Sequence, residues 1–399
     1  MSTVDTSAPR HQPAARRPVI AGLGITEVGK VYGPTAAEFA SNAVRLAAAD
    51  AGLRLADIDG LLVSSGVTNG VHLSLQRDLA LSDLSLLSEM QAYGSTAAGM
   101  VQMAAMAVQS GMATTIACVF GDDPLKPEQA SGATYGRQRS PAGWQGLFGA
   151  SGILGANPMY ALAARRHMVR YGTTSEQLGH IAVAQRAWSA RNPRAQMREP
   201  ITLADHQASR WIAEPFHLLD CCLVSNGGIA VIVTTADRAS HLAKPPVPVL
   251  GWAQCHPGHS QRRDENFGLV SGAAVAGPAA LAMAGMTLDD VDVVELYDCY
   301  TFTVLITLED YGFCAKGDGG PFVSSGVLSP GGKLKLNTGG GQLSSYYLWG
   351  MTPLSEAIIQ ARGVGGDRQA DRHDVVLVSG NGGVLDHHAT LVLGGEALS

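Results

Sequence analysis

Ala51–Asp59 reads AGLRLADID, and Ala284–Asp292 reads AGMTLDDVD. Both copies keep the leading Ala-Gly, the central leucine and two acidic residues. Each closes an alanine-rich helical pattern with a glycine, the usual helix stop. Each then runs into an apolar stretch, Gly60–Ser65 (GLLVSS) or Val293–Asp298 (VVELYD), which reads as a buried strand. A β-like opening precedes each helix, at Pro18–Gly29 (PVIAGLGITEVG) and Pro246–Gly258 (PVPVLGWAQCHPG). A second pair of segments keeps the same order. Ala104–Gly111 followed by Thr114–Gly121 matches Ser355–Gly363 followed by Asp374–Gly383. An ordered double match marks a duplicated chain. Each half reads strand, helix, strand, helix, strand, which implies an α/β protein with mainly parallel sheets covered by helices.

Two such halves, stacking helices between their sheets, give a five-layer αβαβα pseudo-duplicated fold. Residues 18–242 form the first half and 248–399 the second, joined by a proline-rich linker, Ala243–Val249 (AKPPVPV). The first half carries an insertion at about residues 122–220. It holds a glycine-rich loop, Gly143–Pro158, and two helical patterns, Pro158–Gly172 and Ser175–Asn192. Ser175 is expected to cap the second of these. Residues 1–17 lack the apolar core of a secretory signal and read as a flexible tail.

Composition narrows the function. Hydrophobic residues make up 46% of the 399 and charged residues 16%, which fits a core-rich enzyme. A net charge of −6 offers no basic surface for nucleic acid and no polybasic membrane signal. No breaker-free apolar run is long enough to span a membrane. The six cysteines form no CxxC pair, so a zinc site is not expected, and a reducing cytoplasm suits them.

Several motifs together carry a resemblance. They are Glu214–Cys222 (EPFHLLDCC) with Ser225–Val233 (SNGGIAVIV), Glu295–Gly320, Asn337–Gly350 (NTGGGQLSSYYLWG) and Val375–Leu393 (VVLVSGNGGVLDHHATLVL). From about residue 18 onward the chain resembles the sterol-carrier-protein-type thiolases. Within them it is most similar to the lipid-transfer-protein-type aldolases of bacterial steroid side-chain degradation. The resemblance implies that Tyr93 stands where a thiolase has its nucleophilic cysteine, and that Tyr297 and Tyr347 stand where thiolases have catalytic polar residues. Ser379 replaces the second thiolase cysteine, and Ser225-Asn226 stands where many relatives are acidic. The resemblance also implies an acyl-CoA substrate, a homodimeric core and a small OB-fold partner subunit.

The chemistry follows from the residue types. A phenol with an ordinary pKa of about 10 is a poor acyl carrier, so an acyl-enzyme at position 93 is not expected. Retro-aldol cleavage needs no acyl-enzyme. It needs a base for a β-hydroxyl proton, donors for a thioester enolate, and an acid for the α-carbon. Tyr297 and Tyr347 are the expected acid/base pair, with either order open, one of them ionising more readily through nearby donors or a cation. Tyr93 is expected to line the pocket, and Asp298 to fix its loop through backbone hydrogen bonds. Gly340, Gly341, Gly382 and Gly383 bring backbone N–H groups close to a ligand, beside Asn381. His387 and His388, being sequential, face opposite ways on a strand, and His388 is taken for the pocket edge. Arg165 and Arg166 read as solvated surface, with CoA phosphates or the partner subunit as the alternative contacts. The expected activity is retro-aldol cleavage of a β-hydroxyacyl-CoA, a steroid-CoA by resemblance, giving a ketone and a short acyl-CoA, with no metal or organic cofactor. A Claisen-type thiolase or acyltransferase using Cys299 or another thiol, and a non-catalytic lipid or acyl-CoA carrier, are the rival expectations.

Overall fold

The computed structural model describes residues 16–135, 146–153, 155–258 and 265–398. The first half contributes β1 (Pro18–Ile25), α1 (Ala36–Ala51), β2 (Gly60–Ser65), β3 (Leu86–Glu89), α2 (Thr96–Ser110) and β4 (Ile116–Asp122). The chain then makes α3 (Ala156–Tyr171), α4 (Ser175–Ser189) and a small hairpin of β5 (Trp211–Ala213) and β6 (Phe216–His217), before closing the half with β7 (Gly227–Thr235). The second half contributes β8 (Val247–Cys255), α5 (Ala273–Ala284), β9 (Val293–Glu295), α6 (Thr301–Tyr311), β10 (Lys335–Leu336), α7 (Met351–Ala361), β11 (Val375–Gly382) and β12 (His387–Gly394).

Ten strands run in the order β10-β9-β11-β12-β8-β1-β7-β4-β2-β3. The halves meet at β1 and β8 through only Val19–Pro248 and Ile20–Val247. On either side of that seam the pattern is identical. The first strand pairs antiparallel with the last, the last pairs antiparallel with the next, and two parallel pairs follow. Mainly parallel sheets are therefore not what forms; each half is mixed. In the second half the cause is plain. Only the turn between Gly382 and His387 separates β11 from β12, too short for the crossover that a parallel pair requires.

The layers follow from packing. Helix α1 covers β1, β7 and β4, and α5 covers β8 and β12 with α6 against it. Helices α2 and α7 touch strands of both halves and form the middle layer. Small residues allow the close approach. Ala36, Ala40, Ala43, Ala47 and Ala51 bury one face of α1. A Cβ on Gly22 of β1 would lie 2.2 Å from the Ala47 carbonyl oxygen, and one on Gly251 of β8 would lie 2.2 Å from that of Ala280. The duplicated nonapeptide is a duplicated helix exit. Gly52 and Gly285 both end their helices in the left-handed region, with φ of 74° and 70°. Three residues into the following turn, Asp57 accepts from the Arg54 N–H and Asp290 from the Thr287 N–H.

The excursion between β4 and β7 backs the second half's loops. Helix α3 ends at Gly172, and α4 packs against Gly341–Ser345 and α6. The cap of α4 is Thr174 rather than Ser175. Thr174 and Gln177 exchange side-chain and backbone hydrogen bonds in a capping box, which leaves Ser175 as the first helical residue. Arg166 is spent on structure, donating to the carbonyls of Phe267 and Glu265, and Arg165 lies 3.5 Å from exposed Glu214.

Candidate active site

Three loops converge where the strands of the second half end. Tyr297 follows β9, and its N–H donates to the Ser379 hydroxyl on neighbouring β11 (3.2 Å). Tyr347 follows a single π-helical turn, Gly341–Ser345, a distortion that recurs at functional sites. The Tyr297 and Tyr347 hydroxyl oxygens are 3.1 Å apart, with rings edge to face at 6.5 Å. The third loop holds Tyr93-Gly94 at the head of α2. A Cβ on Gly94 would lie 2.1 Å from the Tyr297 ring and 2.3 Å from the Asn381 carbonyl oxygen, so only glycine lets this loop close over Tyr297.

Asp298 sets the separation of the phenols. Its buried carboxylate accepts from the N–H of Gln342 (2.8 and 2.9 Å) and of Leu343 (3.2 Å), tying the Tyr297 loop to the Tyr347 loop. Burial pushes its pKa up to about 7, against the pull of those hydrogen bonds. Gly341 is glycine because of this clasp. Its φ is +59°, and a Cβ would sit 2.1 Å from the Asp298 carboxylate. Gly340 is glycine because Ser189 of α4 fills the space beside it. Gly382 faces the Ala92 carbonyl and the Tyr93 side chain, and Gly383 faces the His387 ring. A side chain at any of these four positions would meet neighbouring protein.

Burial raises both phenols well above the ordinary tyrosine value. For Tyr297 the nearby Cys299 adds to this and the bond from Tyr347 opposes it; for Tyr347 the neighbouring Tyr297 adds to it. Tyr135, Cys222 and Cys299 act on both phenols, and each of them adds to the rise. Burial therefore favours two neutral phenols, hydrogen-bonded to each other. No thiol there is poised as a nucleophile. Burial pushes Cys299 up to about 12 and raises Cys222 and Cys118 as well.

The remaining candidates divide. Tyr93 sits at the mouth, 51% exposed, with φ of 54° and its ring 6.0 Å from Trp349 and 6.1 Å from His387. His387, not His388, occupies the edge, its Nδ1 3.1 Å from that of His256. His388 points the other way and is buried with its Nε2 2.9 Å from the Tyr311 hydroxyl. Alternation along β12 fixed that the two face apart, but which face was the mouth depended on where α2 lies. Asn381 is buried, with its backbone carbonyl toward Gly94 and its side chain on the face of β11 that carries His388 on β12. Tyr346 turns into the core and meets the Ser355 hydroxyl at 2.9 Å.

Sequence reasoning gave Ser225 no role, and the structure supplies one. Its hydroxyl accepts from the Tyr347 N–H (2.9 Å) and from the Gln196 amide (2.7 Å). Asn226 beside it clamps the chain through the Leu125 N–H and the carbonyls of Val31 and Leu125. The departure from an acidic residue before glycine was the available signal. Trp349 closes the mouth against Tyr93 and Phe120 and carried no signal of its own. Among the described residues no group of three His, Cys, Asp or Glu side chains is gathered for a metal, and no helix is long and apolar enough to cross a membrane.

The chain is similar to known proteins over most of its length. Residues 251–395 match the family model described as thiolase C-terminal domain-like. The chain is 38% identical over 372 residues to a steroid side-chain-cleaving aldolase of Thermomonospora curvata, covering 91% of this chain and 95% of that protein. It is 36% identical over 377 residues to the 17-hydroxy-3-oxo-4-pregnene-20-carboxyl-CoA lyase of Mycobacterium tuberculosis, covering 91% and 96%. The solved Ltp2-ChsH2(DUF35) aldolase superposes with a TM-score of 0.85 at 35% identity, over 96% of this chain and 99% of that one.

Proposed function

The chain belongs to the thiolase-like family of steroid side-chain-cleaving aldolases, and from that premise we propose that it is a carbon–carbon lyase acting by retro-aldol cleavage. Its substrate is a β-hydroxyacyl-CoA with a tertiary hydroxyl on a bulky steroidal skeleton. The products are a ketone and a short acyl-CoA such as propionyl-CoA. The observation that carries this reading is the 3.1 Å contact between the Tyr297 and Tyr347 hydroxyls at the meeting of three loops.

Neutral phenols suit the proton balance of this reaction. The β-hydroxyl proton passes to one phenol oxygen as the carbon–oxygen bond becomes a carbonyl. That phenol's own proton crosses to the second phenol. The Cα–Cβ electron pair enters the thioester enolate, and the second phenol's proton ends on the α-carbon. Every proton that leaves the substrate is returned to it, so neither tyrosine has to ionise at rest and the chemistry calls for no metal or organic cofactor. Claisen chemistry would instead need a thiolate, which burial of Cys299 opposes.

The assembly we propose is a homodimeric core with a small OB-fold partner subunit. The solved relative is named as an Ltp2-ChsH2 pair, which supports a second subunit. Met103 and Met106 on α2, and Leu87 on the edge strand β3, are exposed and apolar, which supports pairing of two copies. Six free thiols fit a cytoplasmic site of action. The test is co-expression with a small OB-fold protein and product analysis on a β-hydroxyacyl steroid-CoA. Release of a ketone with a short acyl-CoA is the expected result; binding without turnover would instead make the protein a carrier.

A further inference from the structure

Two histidines face each other across neighbouring strands at the mouth. His388 of β12 pairs in register with Cys255 of β8, so one step along each antiparallel strand sets His387 opposite His256. Residues directly opposite project from the same face, with Cβ atoms about 4.5–5.5 Å apart. The two Nδ1 atoms are 3.1 Å apart, and His256 is exposed to solvent. A tetrahedral zinc ion with zinc–nitrogen bonds of about 2.0 Å holds its ligand atoms about 3.3 Å apart. The pair needs only a small adjustment to share one ion.

The His256 ring is held from behind. Buried Gln102 on α2 donates its Nε2 to the Ala253 carbonyl (3.0 Å), which leaves its Oε1 to accept from Gln254 Nε2 (2.7 Å). Gln254 Oε1 in turn accepts from His256 Nε2 (2.9 Å). In a neutral ring the single proton is therefore on Nε2, and Nδ1 carries a lone pair aimed at His387. A metal-ligating histidine gives its other N–H to an acceptor fixed in this way. Burial and the neighbouring His256 push the His387 pKa below the ordinary imidazole value, against the pull of Asp386. His387 is thus neutral near pH 7, as a ligand must be, and Asp386 brings negative charge that favours a cation.

We propose that His256 and His387 form a cross-strand site for one transition-metal ion of the zinc class, completed by water, and that occupancy of this site inhibits the enzyme. Imidazole nitrogens suit such an ion, whereas magnesium and calcium take oxygen ligands. The inhibition follows from the place. The His387 ring lies 6.1 Å from the ring of Tyr93, and Gly382 at the other end of the same turn packs on the Tyr93 side chain. An ion there ties the end of β8 to that turn and crowds the entrance. It takes no part in cleavage. The binding site stands independently of the retro-aldol reading, and only the inhibition rests on it.

The experiment titrates zinc chloride by calorimetry into wild type, His256→Ala and Gln254→Leu, each with the partner subunit. The thermal midpoint and the cleavage of a β-hydroxyacyl steroid-CoA are then read with and without zinc. Wild type should take up one more ion per chain than His256→Ala, since any ion held elsewhere is common to both. Gln254→Leu keeps both imidazoles but loses the acceptor behind His256, and should bind about 10- to 100-fold more weakly. Zinc should raise the thermal midpoint of wild type and its KM, with kcat little changed, and do neither in His256→Ala. Equal uptake by wild type and His256→Ala would overturn the site. Uptake that leaves KM unchanged would overturn the inhibitory role alone. A wild-type complex that releases no ketone in the absence of zinc would overturn the retro-aldol reading, and the calorimetry would still decide the site.

Discussion

Asp298→Asn separates the two things that the buried carboxyl does. As an acceptor, it holds the Gln342 and Leu343 N–H groups in place. As an acid, it has its pKa pushed by burial from 3.8 up to about 7. Between those two values the folded protein keeps a proton that the unfolded chain has released. Stability from this group therefore falls as pH rises through the window, by at most about 1.4 kcal/mol per pH unit, and levels off above it. Asparagine does not titrate. Its one oxygen, in the Oδ2 position, can still accept from both N–H groups, but its NH2 then faces the Gln342 N–H where Oδ1 stood, at a cost of about 1–3 kcal/mol. The advantage of wild type over the variant should thus be greatest near the acid end of the window and shrink toward neutrality. Urea unfolding of both proteins at a series of pH values measures it, since titrations common to both cancel in the difference. A difference that stays flat with pH would refute a carboxyl held high by burial. Turnover should fall in the variant, because the displaced loop carries Tyr347.

Two further substitutions probe the same frame. Gly341→Ala puts a Cβ 2.1 Å from the Asp298 carboxylate at a φ of +59°; it should cost about 1–3 kcal/mol or more in urea unfolding and lower turnover with it. Ser225→Ala removes the acceptor of the Tyr347 N–H; a loss of about 1–3 kcal/mol in unfolding free energy is expected, with slower cleavage as the Tyr347 loop loosens.

Much of the fold was legible because the duplication is local. The alanine-rich face, the Gly52 and Gly285 exits and the acidic residue that follows are all set within one helix and its turn. Strand polarity was not legible in the same way. A helix–strand alternation does not say that the last strand of each half returns beside the first, as β7 and β12 do. The cap of α4 went to Thr174 because Thr173, Thr174 and Ser175 are all plausible caps, and the partner Gln177 decides between them. In the site, motif position drew attention to Tyr297 and Tyr347, and Asp298 was expected to clasp a loop. What stayed hidden depended on residues distant in sequence. Ser225 reaches Tyr347 from the other half, Gly340 and Gly341 yield to Ser189 and Asp298, and the choice between His387 and His388 waits on α2.

The central claim is that a pair of hydroxyls carries the proton from substrate oxygen to substrate carbon. Tyr297→Phe and Tyr347→Phe each delete one oxygen from that path while preserving the ring. Ketone release from a β-hydroxyacyl steroid-CoA should drop by about 100- to 10,000-fold in each, with both variants folded as judged by their thermal midpoints. Wild-type ketone release from either one would contradict the account.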